Sequence, residues 1–340
     1  MNHGSIGGTG IILNNEQRTT TDTMTELRYR IVNRLHIDHD AEIKRLIAGL
    51  RATPATIEPK YFYDELGCAL YAAICQLDEY YPTRTERAIF QGYRQEIAEA
   101  IGSGGTFVDL GAGDCCKALG WLPFIAPARY LAVDIAGPSL DVALSNMATE
   151  FPEVEMVGLV TDFSRSLDIP AELLTDRVTV FYPGSSIGNF SPADASRFLA
   201  EMRGYTRSGG LLIGVDAKKD KWRLDAAYGD ALGVTAAFNL NALRHINRIV
   251  GTDFVENAWR HIGNYNESAG RIEMHLQAIT EQEITLDGEV RLFAAGEKIH
   301  SENSYKYSRE EFESILRSAG FTQISVWTDD ARAFWVFYAA

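Results

Sequence analysis

The chain has 340 residues and carries 32 basic against 46 acidic side chains, a formal charge of −14. With 46% hydrophobic and 23% charged residues it reads as a globular protein with room for one large domain or two modest ones. No Lys/Arg-rich run and no apolar stretch of about 18 residues occurs, so a small-molecule partner, no nucleic acid and no membrane are expected.

Residues 1–23 are rich in Gly, Asn, Thr and Ser without periodicity and are expected to be a disordered extension. No basic region followed by an apolar core precedes the folded part, so a cytoplasmic protein is expected. Ile43, Leu46, Ile47 and Leu50 have helical spacing, and Thr85–Ile101 reads as one helix with Ala88, Ile89, Tyr93 and Ile97 on a face. Alternating units follow. Strands are expected at Thr106–Leu110, Tyr130–Asp134, Val154–Val160, Arg177–Tyr182 and Gly210–Val215. Helices are expected at Cys116–Ile125, Pro138–Glu150 and Pro192–Thr206. Strands alternating with helices imply a parallel sheet covered on both faces.

After Asp216 the alternation stops. A helix at Ala237–Ile249 and strand-like runs at Gly270–Thr280, Glu283–Thr285 and Glu289–Phe293 form an insertion of roughly 90 residues before the sheet resumes. A helix at Arg309–Ala319, stopped by Gly320, leads into a hairpin of Phe321–Thr328 and Ala333–Tyr338 turned at Asp329-Asp330. An insertion at the carboxyl edge of a doubly wound sheet lies over the crevice where ligands bind. The expected division is residues 84–217 with 306–340 as the cofactor-binding domain, and 24–83 with 218–305 as the substrate-recognition domain.

The run Phe107-Val108-Asp109-Leu110-Gly111-Ala112-Gly113-Asp114 carries the chemistry of the first turn. Two glycines let a ligand approach the backbone, and Asp134, at the tip of the next strand, is placed to accept from both hydroxyls of a ribose. A dinucleotide fingerprint would add a third glycine, absent from Gly111-Ala112-Gly113-Asp114-Cys115-Cys116, and Asp114 would repel a diphosphate. S-adenosylmethionine, cationic and free of phosphate, suits an acidic loop better. A helix, Ala-Gly-Phe and a closing hairpin resemble the C-terminus of doubly wound methyltransferases that use it. A nicotinamide-dependent oxidoreductase is the alternative of another class.

Two aromatic-rich segments, Pro59-Lys60-Tyr61-Phe62-Tyr63-Asp64-Glu65-Leu66-Gly67 and Glu79-Tyr80-Tyr81-Pro82-Thr83-Arg84-Thr85-Glu86, resemble the histidine-specific Nα-methyltransferase family of ergothioneine biosynthesis. The resemblance continues through Tyr182–Phe190, Ala227–Asn239, Arg271–Met274 and Ser301–Lys306. It implies a Rossmann-like class I methyltransferase sheet of the α/β class with an inserted α+β substrate-binding domain. It also implies transfer of three methyl groups from S-adenosylmethionine to the α-amine of L-histidine, giving hercynine. Carried over residue by residue, Tyr63 and Tyr80 line the amino-acid site and Asn189 holds its amino and carboxylate ends. Tyr228 lies on the carboxylate, while Met274, Glu302 and Ser304 surround the imidazole. The cofactor set is Gly111, Gly113, Lys117, Asp134, Asp162 and Phe163, with Asp134 on the ribose and Asp162 near the adenine. Tyr63 and Asn189 are the candidate catalytic residues.

Blander readings compete. Tyr61, Phe62 and Tyr63 could all be core, Glu302 a solvated strand residue, Asn189 a turn residue and Asp216 the start of a loop. The four cysteines, Cys68, Cys75, Cys115 and Cys116, lack zinc-ligand spacing and read as reduced thiols, and the seven histidines lack ligand spacing, so no metal is expected. No His or Lys of the motifs is an obvious general base, so the amine is expected to lose its proton to water or a tyrosine. A sister N-methyltransferase for another aromatic amino acid, such as a tryptophan derivative, remains open. A monomer is expected.

Overall fold

A computed structural model of the protein describes residues 29–35, 38–163 and 167–340. The extension expected at 1–23 lies outside them. In chain order the elements are β1 (Tyr29–Asn33), α1 (His39–Arg51), β2 (Ala55–Thr56), α2 (Glu65–Ile74), α3 (Tyr81–Gly92), α4 (Arg94–Ile101), β3 (Thr106–Leu110), α5 (Cys116–Leu119), α6 (Leu122–Ile125) and β4 (Arg129–Asp134). Next come α7 (Gly137–Glu150), β5 (Glu155–Val160), β6 (Val178–Tyr182), α8 (Pro192–Thr206), β7 (Gly210–Asp216), α9 (Lys221–Tyr228), α10 (Val234–Val250), β8 (Trp259–Asn266) and β9 (Arg271–Ala278). The chain closes with β10 (Gln282–Leu286), β11 (Glu289–Phe293), β12 (Lys298–Tyr305), α11 (Arg309–Ser318), β13 (Ile324–Thr328) and β14 (Phe334–Ala339).

Eight strands form one sheet in the order β1-β5-β4-β3-β6-β7-β14-β13, parallel except for the terminal hairpin, whose β14 runs antiparallel to β7 and to β13. Strands β3, β6 and β7 are buried along their whole length because helices cover both faces, which is why they read as unbroken apolar runs. Alternate side chains feed separate cores: Phe107, Tyr130 and Phe181 pack on one face, Val108, Leu131 and Val180 on the other. From central β3 the chain winds outward through β4 and β5, then returns to the other side as β6 and β7. The point where the order reverses leaves a crevice at the carboxyl ends of these strands.

A second sheet, β2-β12-β9-β8, packs with α1, α2 and α10 around a third core that includes Phe62, Phe238, Leu276 and Ile299. Strand β12 carries a bulge. Its register with β9 slips between His300 and Glu302, so Ile299 and Ser301 face inward before it and Ser304 after it.

Three features depart from the sequence reading. The helix expected over Thr85–Ile101 is two helices, broken at Tyr93, where φ is −111° and ψ 20°. The helix expected over Cys116–Ile125 splits likewise, with Pro123 near the start of α6. Strand β1, placed by the sequence within the substrate-recognition domain, instead extends the large sheet by pairing parallel with β5. Strand pairing, not local pattern, decides its membership.

Candidate active site at the carboxyl edge of the sheet

The first turn leaves β3 with Gly111 at φ +71° and Gly113 at φ +55°, a region costly for side-chain-bearing residues. A Cβ at Gly111 would come 3.7 Å from the Phe163 ring, and one at Gly113 would meet nothing within 4 Å. Asp134, at the end of β4, accepts from the Gly113 N–H and the Ala136 N–H, each at 2.9 Å. Its carboxylate therefore both shapes the glycine turn and keeps lone pairs for a further donor. Phe163 stacks on Phe198 and meets Tyr182 edge-on, fixing its ring beside the turn. The bare glycine turn and the carboxylate at the next strand tip fit the nucleoside end of S-adenosylmethionine. Cys115 is buried and its thiol is pushed up to about 12, chiefly by burial, so it is inert packing beside the turn.

Lys117 pairs with Glu86 at 2.8 Å, and the other oxygen of Glu86 accepts from the Gly184 N–H at 2.6 Å. Glu86 is 1% exposed and lies against β7, where a Cβ on Gly214 would fall 2.0 Å from its Oε1. Gly214→Ala is therefore expected to force Glu86 off both partners and to cost about 1–3 kcal/mol by overpacking alone. Thermal unfolding reads this directly, and an unchanged melting temperature would refute it.

A cavity opens between the two sheets; the residues of the cofactor set do not line it, but Gly184, tied through Glu86 to Lys117, does. Tyr63, Tyr80, Asn189, Tyr228, Met274, Glu302 and Ser304 all line it, although they come from six separate segments. Tyr63 follows the short turn Pro59–Phe62, Tyr80 caps α3, Asn189 ends the turn after β6, and Tyr228 ends α9. Met274 on β9 stands directly opposite Glu302 on β12. The aromatic segment divides: Tyr61 and Phe62 are core, while Tyr63 is 46% exposed at the cavity and meets Tyr71 and Phe238 edge-on at 5.9 and 5.6 Å. Tyr80 and Tyr228 form a second edge-on pair at 6.3 Å.

The polar groups are held in two sets. With its amide turned to satisfy both neighbours, Asn189 donates to Glu302 Oε1 at 3.1 Å and to the Asn303 carbonyl at 3.3 Å. Burial pushes the Glu302 carboxyl up to about 7, opposed by Lys306. The second set is the cavity floor. Asp216, fully buried, is flanked by Lys306 at 2.8 Å and Lys219 at 2.5 Å, and the Tyr81 hydroxyl donates to it at 2.8 Å. Burial opposes its charge, but the two lysines outweigh that and hold its carboxyl below the usual range. Burial also disfavours the Lys306 ammonium, yet Asp216 more than compensates and its pKa is raised. Lys219 is instead drawn down to about 8 by burial. Above this floor the Tyr228 hydroxyl donates to Ser304 Oγ at 3.0 Å.

Asp216, which from sequence could equally be the start of a loop, is thus part of the cavity, as is Lys306; neither was singled out as a site residue. Tyr71, Phe238 and Glu86 were passed over in the same way. The one available signal was that Asp216 ends a strand at the carboxyl edge, in line with Asp134. The structure also brings Tyr228 and Ser304 into mutual contact, although the resemblance placed them at opposite ends of the substrate.

A family profile described as histidine-specific methyltransferase, SAM-dependent, matches residues 42–340. A histidine N-alpha-methyltransferase of Mycolicibacterium smegmatis is 39% identical over 315 residues, covering 89% of this chain and 97% of that protein. Ergothioneine biosynthesis protein 1 of Neurospora crassa is 35% identical over 288 residues, covering 81% of this chain and 32% of that protein. A 4-dimethylallyltryptophan N-methyltransferase of Trichophyton verrucosum is 26% identical over 309 residues, covering 84% and 89%.

Proposed function

The chain belongs to the histidine-specific, S-adenosylmethionine-dependent methyltransferase family, and from that premise we propose that it methylates the α-amine of L-histidine three times, giving Nα,Nα,Nα-trimethyl-L-histidine (hercynine) for ergothioneine formation. The observation that carries the reading is the cavity itself, which gathers Glu302 and Ser304 with the rings of Tyr63, Tyr71, Tyr80 and Tyr228 between the two sheets. The names of the mycolicibacterial and Neurospora relatives support the same substrate and pathway.

S-adenosylmethionine, when bound, supplies a methyl group made electrophilic by its sulfonium. Gly111 and Gly113 would give it backbone access, Asp134 would take the ribose hydroxyls, Asp162 and Phe163 would flank the adenine, and Lys117 would serve the amino-acid end. Residues 24–83 and 218–305 together supply most of the substrate wall. Tyr63 and Asn189 align the amine, Tyr80 lines its chamber, and Tyr228 serves the carboxylate. A site walled off from water favours the neutral amine, which is the nucleophilic form. Alignment of amine and methyl carbon can account for about 7–11 kcal/mol of the barrier in favourable cases. As methyl groups replace N–H bonds, the aromatic faces of Tyr63 and its neighbours continue to attract the alkylammonium. The negative surface charge argues against nucleic acid as substrate, and no helix among the described residues is long and apolar enough to cross a membrane. A cytoplasmic monomer belongs to this same proposal.

The similarity to a tryptophan-modifying enzyme makes ring selection the sharpest test. Incubation with S-adenosylmethionine and either histidine or tryptophan, read by mass, should show one, two and three methyl additions on histidine. Glu302→Ala strands the ring N–H it would accept from, so kcat/KM for histidine should fall on the order of 10³-fold while that for tryptophan does not. Accumulation of monomethylhistidine alone, with cofactor in excess, would sink the trimethylation step. Equal losses for the two amino acids would sink the role of Glu302.

A further inference from the structure

Lys306 is 2% exposed and spends all three of its N–H bonds inside the protein: on Asp216 Oδ2 at 2.8 Å, Ser304 Oγ at 2.8 Å and Tyr228 Oη at 3.1 Å. The two hydroxyls also bond to each other. Between them they bring two protons, and only one lies in their shared bond. Whichever way that bond is drawn, the other proton has to leave the triangle. With Tyr228 donating, Ser304 Oγ already accepts from both Lys306 and Tyr228, so its two acceptor positions are filled. Ser304 lines the cavity, and a hydroxyl in this state can only donate into it. A serine is ordinarily indifferent to donors and acceptors; this one is not.

Glu302, two residues earlier on the same strand, has the opposite character. It is an acceptor, already held by the Asn189 amide. We infer that Lys306, held by Asp216, is a positioning residue that fixes Ser304 as an obligate donor, so that the cavity offers one donor and one acceptor and selects the neutral imidazole over the imidazolium. This rests on the histidine reading above. Neutral imidazole carries one N–H and one bare nitrogen, whereas imidazolium carries two N–H groups and would press one of them against the Ser304 proton. The surrounding charges act in the same sense at that end. Asp216 from β7 is outnumbered by Lys306 after β12, Lys219 after β7 and the Arg223 guanidinium of α9, which lies 4.6 Å over the Tyr81 ring, leaving the positive side in excess beneath Ser304, while Tyr228, Tyr63, Tyr71 and Tyr80 line the cavity with uncharged phenols and the Tyr81 hydroxyl donates to Asp216. Glu302 is the one anion that faces the ring from the other side.

The test compares histidine with β-(1,2,4-triazol-3-yl)alanine, which has one ring N–H and two bare nitrogens but does not gain a ring proton near neutrality. Both are titrated calorimetrically into the full chain saturated with S-adenosylhomocysteine, from about pH 8 down to about pH 5.5, across the imidazole pKa. Glu302 and the α-amine affect both ligands, so the ratio of their affinities is the readout. The histidine-to-triazole ratio should be flat at the alkaline end and fall about tenfold per pH unit below the imidazole pKa. In Ser304→Ala and Lys306→Met that slope should flatten, and Lys306→Arg should restore it in part. Ser304→Ala leaves the buried ion pair intact and decides the matter if Lys306→Met fails to fold. A flat ratio in the unmodified protein, or an unaltered slope in Ser304→Ala, overturns the inference while leaving the histidine reading intact. Binding of neither ligand at the alkaline end overturns both.

Discussion

Asp134→Ala is expected to weaken S-adenosylhomocysteine binding by on the order of 10²–10³-fold, because one carboxylate does two jobs. It accepts the Gly113 and Ala136 N–H groups, both at 2.9 Å, and on the proposed reading it also receives the ribose hydroxyls. Hydrogen bonds to a charged acceptor contribute about 1.5–3 kcal/mol each, and the turn itself loses its tie when the acceptor goes. Asp134→Asn keeps an acceptor oxygen and should fall between the two. Calorimetric titration with S-adenosylhomocysteine and with adenine separates these contributions, since adenine alone does not reach the ribose acceptor. An Asp134→Ala protein that binds both as tightly as the unmodified chain would remove the carboxylate from the cofactor site.

The second large effect is on stability. Asp216→Ala leaves Lys306 and Lys219 facing each other in the floor without their anion, and removing one member of a buried ion pair costs about 3–5 kcal/mol. The sign of its pH dependence follows from the directions of the shifts. The lowered pKa of Asp216 contributes stability that is present above the unfolded carboxylate value and is lost as pH falls through the folded one. The raised pKa of Lys306 contributes stability that is complete below the unfolded lysine value and is lost as pH rises through the folded one. In Asp216→Ala both lysines should instead be depressed by burial, so the variant gains stability as pH rises towards the ordinary lysine range. The gap between the two proteins is therefore expected to be widest near neutrality and to narrow at alkaline pH. Denaturant unfolding across that range measures it, and a gap that widens on the alkaline side would contradict the ion-pair account.

The sheet was legible because its strands are buried on both faces, so Phe107, Val108, Leu131 and Val180 announce themselves as apolar runs whatever surrounds them. Helix breaks were not. Nothing in the periodicity of Thr85–Ile101 marks Tyr93 as a corner, since its side chain keeps helical phase while its backbone does not. Strand β8 escaped notice because four of its residues, Arg260, His261, Asn264 and Asn266, are polar and leave no unbroken apolar run. At the site, the resemblance supplied Tyr63, Asn189, Glu302 and Ser304 before any strand had been assigned to the last two. The floor was hidden for a different reason. Asp216 and Lys306 lie 90 positions apart, and only the folded chain brings their charges to 2.8 Å. Glu86 was read only as part of a motif, because its reason for being there is the missing side chain of Gly214.

The bulge in β12 settles what a length change there would do. Up to Ser301 the odd-numbered residues point inward and build the hydrophobic interior; beyond it the even-numbered Glu302, Ser304 and Lys306 line the cavity. One surplus residue thus moves the inward-facing set from odd to even numbers, without a change of sheet or direction. Deleting Ser301 would remove the surplus residue and its hydrogen bond to Asn239 but leave Glu302 opposite Met274, whereas straightening the strand with Ser301 kept would put Ser301 opposite Met274 and turn all three polar groups towards the opposite face. For this protein the reading frame of a strand is as much a determinant of what the cavity presents as the identity of any residue on it, because the same three groups one register position along β9 would face away from the cavity.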